Sequence, residues 1–236
     1  MSSIHIDASD GAGKFAAYYA PAKGDHAGEN AGVVVLIQEI FGVSASLRQI
    51  ADEVASLGYH VLAPDLFWRQ EPLVDLSDKT KEEWDKAFAL LNGFNQDLGI
   101  ADLKAVVQLA RNFPGGNGRV ATMGYCLGGR LAMMMATRSD ADCNISYYGV
   151  GLDGLIPELP HVKAPLLVHI ADRDNFFPAE GRAALIKATK GNPLIHTHTY
   201  KDADHAFARA GGTHWDTRSA WIANGRSAEA LAATLG

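Results

Sequence analysis

The stretch VATMGYCLGGRLA, residues 120–132, places a cysteine between a short apolar segment and a run of residues that favours a helix. Gly124 and Gly128 lie two residues on either side of Cys126, and Gly129 follows directly. Glycines in this spacing allow the backbone to turn sharply and to approach its neighbours closely. The stretch therefore predicts a strand, a tight turn that carries Cys126, and a helix.

Strands and helices are predicted to alternate along the chain on both sides of this turn. Apolar, β-branched segments predict strands at 33–38, 59–67, 119–124, 144–149, 165–171 and 194–200. Helical spacing of apolar residues predicts helices at 44–58, 77–94, 97–113, 127–138, 179–189 and from about 215. Ser77 or Asp78 is the predicted N-cap of the second helix. This alternation predicts an α/β fold, a mostly parallel sheet with helices on both faces. Active sites in such sheets lie beyond the carboxyl ends of the strands.

Composition narrows the class of protein. The chain has 236 residues, enough for one α/β domain, and we expect a single domain over 1–236, with a polar loop at 21–32. Its net charge is −6 and it has no basic run, so no nucleic-acid partner is expected. The longest apolar runs, 31–37 and 164–171, are too short to span a membrane. No secretory signal is visible, so we expect a cytoplasmic protein with two free cysteines.

Three interpretations compete for Cys126. In a nucleophile elbow, a strained strand-to-helix turn exposes a reactive side chain above the sheet, and cysteine here takes the place of the serine in G-x-S-x-G. A dinucleotide fingerprint, G-x-G-x-x-G, would need glycine where Cys126 stands. A buried structural thiol is the third interpretation, since free cysteines are most often of this kind.

A nucleophile needs a base, and the base needs an acid to orient it. Asp172 and Asp174 follow the predicted strand at 165–171, and His205 follows the strand at 194–200. The chain order nucleophile, acid, histidine is that of the α/β-hydrolases. These strand-end positions favour the elbow interpretation.

Six motifs together resemble the dienelactone hydrolase family, whose members have the α/β-hydrolase fold and a cysteine nucleophile. The motifs follow the family's order and span residues 30–215: QEIFG (38–42), APDLF (63–67), GYCLGG (124–129), YYGVGL (147–152), DRDNFFP (172–178) and DHAFARAGG (204–212). The resemblance implies a three-layer sandwich and a carboxymethylenebutenolidase-like activity, the hydrolysis of a lactone or small ester. It also implies a monomer that uses no cofactor and no metal.

The resemblance implies a role for each residue of the catalytic set. Cys126 is expected to be the nucleophile, His205 its base and Asp174 the orienting acid, because the family's acid precedes x-x-x-Pro. Glu39 is expected to hold the thiol hydrogen of Cys126 and to take the proton when substrate arrives. A free thiol, with a pKa of about 8.5, is only slightly ionised at neutral pH.

The resemblance also implies the residues that bind substrate. Backbone N–H groups of Ile40 and Leu127 are expected to form the oxyanion hole. Arg209 matches the arginine that pairs with a substrate carboxylate. A second family arginine is replaced here, and its position corresponds to Trp84, so the substrate is expected to be larger, less charged or more aromatic.

Some assignments stay open at this point. Tyr147 and Tyr148 either line the pocket or belong to the core, and Glu39 and Arg209 are alternatively a loop-end charge and a surface arginine. The histidines in HTH (196–198) lack a four-ligand metal spacing. A non-catalytic domain that binds a small ligand is the second hypothesis for function, and an esterase for a different, less charged substrate is a variant of the first. A redox role lacks a C-x-x-C motif.

Overall fold

The computed structural model describes residues 3–24 and 30–236, and the polar loop predicted at 21–32 lies partly outside them. The strands of the described residues form one sheet. In chain order they are β1 (Ser3–Asp7), β2 (Lys14–Ala20), β3 (Ala31–Ile37), β4 (His60–Pro64), β5 (Gly116–Tyr125), β6 (Cys143–Tyr147), β7 (Leu166–Ala171) and β8 (Ile195–Tyr200).

All the α-helices but the last lie between parallel strands in the chain, and the last follows β8. They are α1 (Ala45–Ala55), α2 (Lys81–Gly93), α3 (Gln96–Arg111), α4 (Leu127–Arg138), α5 (Ala179–Thr189) and α6 (Thr217–Leu235), with a 3₁₀ helix at Leu152–His161. In the described part of the chain, every helix is too short or too polar to cross a bilayer.

The sheet order confirms the predicted architecture. The strands lie in the order β1-β2-β4-β3-β5-β6-β7-β8, and every pair from β4 to β8 is parallel. All seven residues of β3 are buried, as expected for a strand covered on both faces. Val33, Val35 and Ile37 join one apolar cluster with α3, α4 and α5, whereas Val34 and Leu36 join another with α1 and α6. The sheet is therefore the middle of three layers.

The structure adds two elements that the sequence interpretation missed. The antiparallel strands β1 and β2 form a hairpin at the sheet edge. Asp10-Gly11 between two alternating segments was the available signal. The 3₁₀ helix was missed because Pro157 and Pro160 interrupt any helical pattern.

The start of α2 differs from the prediction. The helix begins at Lys81, and its N-cap is Thr80, whose side chain accepts a hydrogen bond from the Glu83 N–H. Ser77 instead donates its hydroxyl to the Glu83 carboxylate, 2.7 Å away. Asp78 lies outside the helix and binds Arg209. Both predicted caps, Ser77 and Asp78, were therefore wrong, because these side chains find partners elsewhere.

Close backbone contact explains two glycines of the turn. A Cβ at Gly124 would lie 2.1 Å from the carbonyl oxygen of Gly128. A Cβ at Gly128 would lie 2.3 Å from the carbonyl oxygen of Ile37. The first turn of α4 therefore packs against β3 and β5 at a distance that only glycine permits.

We predict that Gly128→Ala lowers the free energy of unfolding by about 1–3 kcal/mol, the usual cost of forcing an extra methyl group into a packed site. Gly225→Ala is the control: Gly225 lies within α6, and a Cβ there would meet no heavy atom within 4 Å. That substitution should raise stability by up to about 1 kcal/mol, because alanine favours a helix. Urea unfolding measures the free energy of unfolding of both variants. Equal changes in Gly128→Ala and Gly225→Ala would contradict the packing argument.

Candidate active site

Cys126 occupies a strained turn between β5 and α4. Its backbone is left-handed, with φ 56° and ψ −113°, a region that non-glycine residues seldom adopt. The turn is held by a hydrogen bond from the Cys126 N–H to the carbonyl of Tyr147, at 3.0 Å. Leu127 is the first residue of α4, so its N–H has no acceptor within the helix. The structure thus has the backbone of a nucleophile elbow.

Asp174 and His205 come together beyond the ends of β7 and β8. His205 Nδ1 lies 2.8 Å from Asp174 Oδ2, and both side chains are almost fully buried. Asp174 Oδ1 accepts a hydrogen bond from the Phe176 N–H at 2.8 Å, which fixes the carboxylate. Asp172, the alternative acid, accepts instead from the Asp202 N–H. Of the two aspartates, the structure places Asp174 against the histidine.

Cys126 lies near the same imidazole, and both side chains line one pocket. Burial disfavours the imidazolium, but the charges of Cys126 and Asp174 outweigh it and raise the pKa of His205 to about 10. This environment favours a proton on the imidazole. Cysteine, histidine and aspartate therefore form one interacting group.

Glu39 has a different partner from the one expected. Arg209 Nε donates to Glu39 Oε2 at 2.6 Å, and Arg209 Nη2 donates to Glu39 Oε1 at 3.1 Å. The Arg209 guanidinium also lies over the ring of Phe41, 4.9 Å from its centre. Both oxygens of Glu39 thus accept hydrogen bonds from Arg209, and the expectation that Glu39 holds the Cys126 hydrogen stays a prediction.

These groups border a small pocket of about 150 Å³, with walls that are mostly apolar. The pocket is lined by Ile40, Phe41, Trp84, Phe88, Leu91, Cys126, Leu127, Val150, Phe176, His205 and Arg209. The expected oxyanion residues and two of the three expected substrate-binding residues, Arg209 and Trp84, thus lie on its wall.

Tyr147 is the third residue expected to bind substrate, and it does not line this pocket. Its ring is fully buried and stacks on Tyr125, with ring centres 4.5 Å apart. Its hydroxyl lies 2.7 Å from that of Ser227 in α6. Side chains alternate between the two faces of a strand, and Tyr147 points to the α6 face. The expectation that Tyr147 binds substrate is therefore corrected: it is a core residue.

Comparison with known proteins agrees with this arrangement. The sequence model of the dienelactone hydrolase family matches residues 15–235. The chain belongs to this family. A provisionally named carboxymethylenebutenolidase of Azospirillum brasilense is 48% identical over all of both chains. Carboxymethylenebutenolidase 1 of Cupriavidus pinatubonensis is 37% identical over 93% of this chain and 92% of its own.

A solved structure has the same fold. It is a provisionally named dienelactone hydrolase from Klebsiella pneumoniae, with a TM-score of 0.82 at 24% identity over 98% of each chain. The predicted α/β-hydrolase fold is confirmed, and the chain is a hydrolase of this family.

Sequence reasoning missed one charged residue of the dienelactone hydrolase site. Asp78 lies 2.8 Å from Arg209 Nη1 through its Oδ2 atom. It was interpreted as a helix cap because aspartate before a helical pattern usually has that role. Tyr148 also lies near the site, edge-on to the ring of His205 with ring centres 5.1 Å apart. Its φ of 35° is positive, as is that of Cys126.

Within residues 3–24 and 30–236, no group of three or more His, Cys, Asp or Glu side chains is arranged to hold a metal ion. His196 and His198 project from β8, and His169 on β7 lies beside them. Burial and the neighbouring charges of His198 and Arg226 hold the pKa of His169 well below its ordinary value.

We predict that the imidazole of His205 stays protonated up to a pH of about 10, because its pKa is raised to that value. Cys126→Ala removes one of the two anions responsible and should lower the pKa of His205. Titration of the His205 ring protons by NMR measures both values. Cys143→Ala is the control, since Cys143 lies at the start of β6, in contact with Thr234 rather than His205. An unchanged pKa of His205 in Cys126→Ala would contradict the assignment.

Proposed function

We propose that this protein is a cysteine-dependent hydrolase that opens a lactone or cleaves a small carboxylic ester through a thioester intermediate. The observation that carries the proposal is the strained Cys126 turn facing the buried His205–Asp174 pair. Several relatives are named carboxymethylenebutenolidase, which places a lactone among the substrates to test.

In the first half of the reaction, the Cys126 thiolate attacks the carbonyl carbon of the substrate. The carbonyl π electrons move to oxygen, and the oxyanion accepts hydrogen bonds from the N–H groups of Ile40 and Leu127. The positive end of α4 adds to this stabilisation. When the tetrahedral intermediate collapses, the bond to the leaving oxygen breaks, and that oxygen takes the proton of the His205 imidazolium. The acyl group is then a thioester on Cys126.

In the second half, water replaces the leaving group. Neutral His205 removes a proton from the water as its oxygen attacks the thioester carbonyl. Collapse of the second tetrahedral intermediate breaks the carbon–sulfur bond and restores the thiolate beside the imidazolium. Asp174 keeps the ring oriented and stabilises its charge in both halves. In this scheme Glu39 stays paired with Arg209.

The pocket favours a compact substrate with an apolar body. Its volume of about 150 Å³ suits a small ring or a short acyl chain. Phe41 and Trp84 meet edge to face with ring centres 4.9 Å apart, and the Phe88 ring centre lies 5.6 Å from that of Trp84. The alternative within the same chemistry is an esterase for a less charged substrate than dienelactone. The alternative outside it, a non-catalytic binding domain, has no need for a charged histidine beside a strained cysteine.

We predict that Cys126→Ala lowers kcat for p-nitrophenyl acetate and for a dienelactone by about 10³-fold or more, the scale of losing a catalytic nucleophile. Hydrolysis is followed by release of nitrophenol and by loss of the lactone. Cys143→Ala is the matched control. It removes the other buried thiol, whose pKa burial raises to about 11, and should retain turnover per folded molecule.

Two outcomes would contradict the proposal. Equal activity of wild type and Cys126→Ala would exclude cysteine chemistry at this site. A wild type that is inert on both substrates, but binds them, would favour the non-catalytic hypothesis.

A further inference from the structure

Arg209 uses three different nitrogen atoms to bind two carboxylates. Its Nε and Nη2 atoms donate to Glu39, and its Nη1 atom donates to Asp78 Oδ2. Burial of the guanidinium lowers the pKa of Arg209, but the charge and hydrogen bonds of Glu39 outweigh it and raise the pKa above its ordinary value. Glu39 and Asp78 thus use three of the five guanidinium N–H groups, one on each nitrogen. A substrate carboxylate would have to share a guanidinium whose charge these two carboxylates already offset, or displace one of them.

Asp78 is itself held firmly in place. Its Oδ2 atom accepts hydrogen bonds from the Thr213 N–H at 3.2 Å and the Thr213 hydroxyl at 3.3 Å. Its backbone carbonyl accepts from Trp84 Nε1 at 3.1 Å, which ties it to the pocket wall. Burial raises the pKa of Asp78, but Thr213 and the charge of Arg209 outweigh it and lower the pKa below its ordinary value. Asp78 is therefore a carboxylate at neutral pH.

The charges of this cluster do not balance. One guanidinium faces two carboxylates, so Arg209, Glu39 and Asp78 together carry a net charge of −1. The nearby lysines of α2 have partners of their own at the surface: Lys81 pairs with Asp85, and Lys86 pairs with Glu71. Neither lysine lines the pocket. The cluster of Arg209, Glu39 and Asp78, which meets the pocket through Arg209, is therefore net negative.

We propose that Asp78 sets the substrate preference of this hydrolase by occupying Arg209, so that the pocket selects uncharged esters and lactones over those that carry a carboxylate. The inference rests on the proposed function and concerns the substrate class of the same site. Asp78 does not line the pocket, and it acts through Arg209.

The physical reason is the cost of an unpaired buried charge. A substrate carboxylate that bound Arg209 would displace Asp78 or Glu39 and leave that group without its partner in a buried place. A carboxylate that left both in position would meet a net negative cluster. An uncharged substrate meets neither cost and gains contact with Phe41 and Trp84.

The test compares two lactones that differ only in the charge at one end, dienelactone and its methyl ester. Wild type should have at least a tenfold higher kcat/KM for the methyl ester. Asp78→Asn keeps the shape and a hydrogen-bond acceptor but removes the charge. It should raise the acid-to-ester ratio of kcat/KM by about tenfold, equivalent to about 1.4 kcal/mol. Asp85→Asn, which removes an exposed carboxylate of α2, should leave the ratio as in wild type.

Binding of the same two lactones to Cys126→Ala and to the Cys126→Ala, Asp78→Asn double variant, measured by calorimetry, gives the ratio without turnover. Failure of the proposed catalysis is thus distinguishable from failure of this inference. A wild type that prefers the acid, or a ratio that Asp78→Asn leaves unchanged in both measurements, would overturn the role of Asp78. An equal fall of kcat/KM for both lactones in Asp78→Asn would show that Asp78 has only a structural role, and would also overturn the proposal.

Discussion

The left-handed backbone at Cys126 is the constraint on which the site depends. A φ of 56° is unfavourable for any residue with a side chain, and the surrounding structure has to enforce it. The enforcement comes from β3 and β5, whose backbone approaches the first turn of α4 so closely that Gly124 and Gly128 have no room for a methyl group. The same turn places Cys126 directly before α4, so that Leu127 is the first residue of the helix and its N–H has no helical acceptor. Fold and chemistry therefore share one local cause.

Two buried sets of charged side chains lie at the pocket. In the first, His205 lies between Cys126 and Asp174, and the anions on both sides stabilise its proton. In the second, Arg209 lies between Glu39 and Asp78, whose two negative charges exceed its one positive charge. Apolar walls separate both sets from bulk water, which strengthens every interaction within them. The first set belongs to the proposed bond-making steps, and the second to the proposed choice of substrate.

The sequence was sufficient for those features that depend on local pattern. The turn around Cys126, the alternation that makes the sheet, and the strand-end positions of Asp174 and His205 all follow from spacing. It was insufficient where a partner from a distant segment decides the outcome. Glu39 and Arg209 are 170 positions apart, and Asp78 and Arg209 are 131 apart, so no spacing rule could pair them. The position of Tyr147, in the pocket or in the core, was ambiguous for the same reason. Only its contact with α6 shows on which face of the sheet its side chain lies.

The most direct test of the account is the intact mass of the protein, quenched in acid during hydrolysis of p-nitrophenyl acetate. A thioester mechanism predicts an acetyl adduct on the peptide that contains Cys126. Hydroxylamine should remove this adduct, as it cleaves thioesters, and the adduct should be absent from Cys126→Ala. Turnover with no adduct at Cys126, or an adduct on another residue that disappears at the rate of turnover, would contradict it.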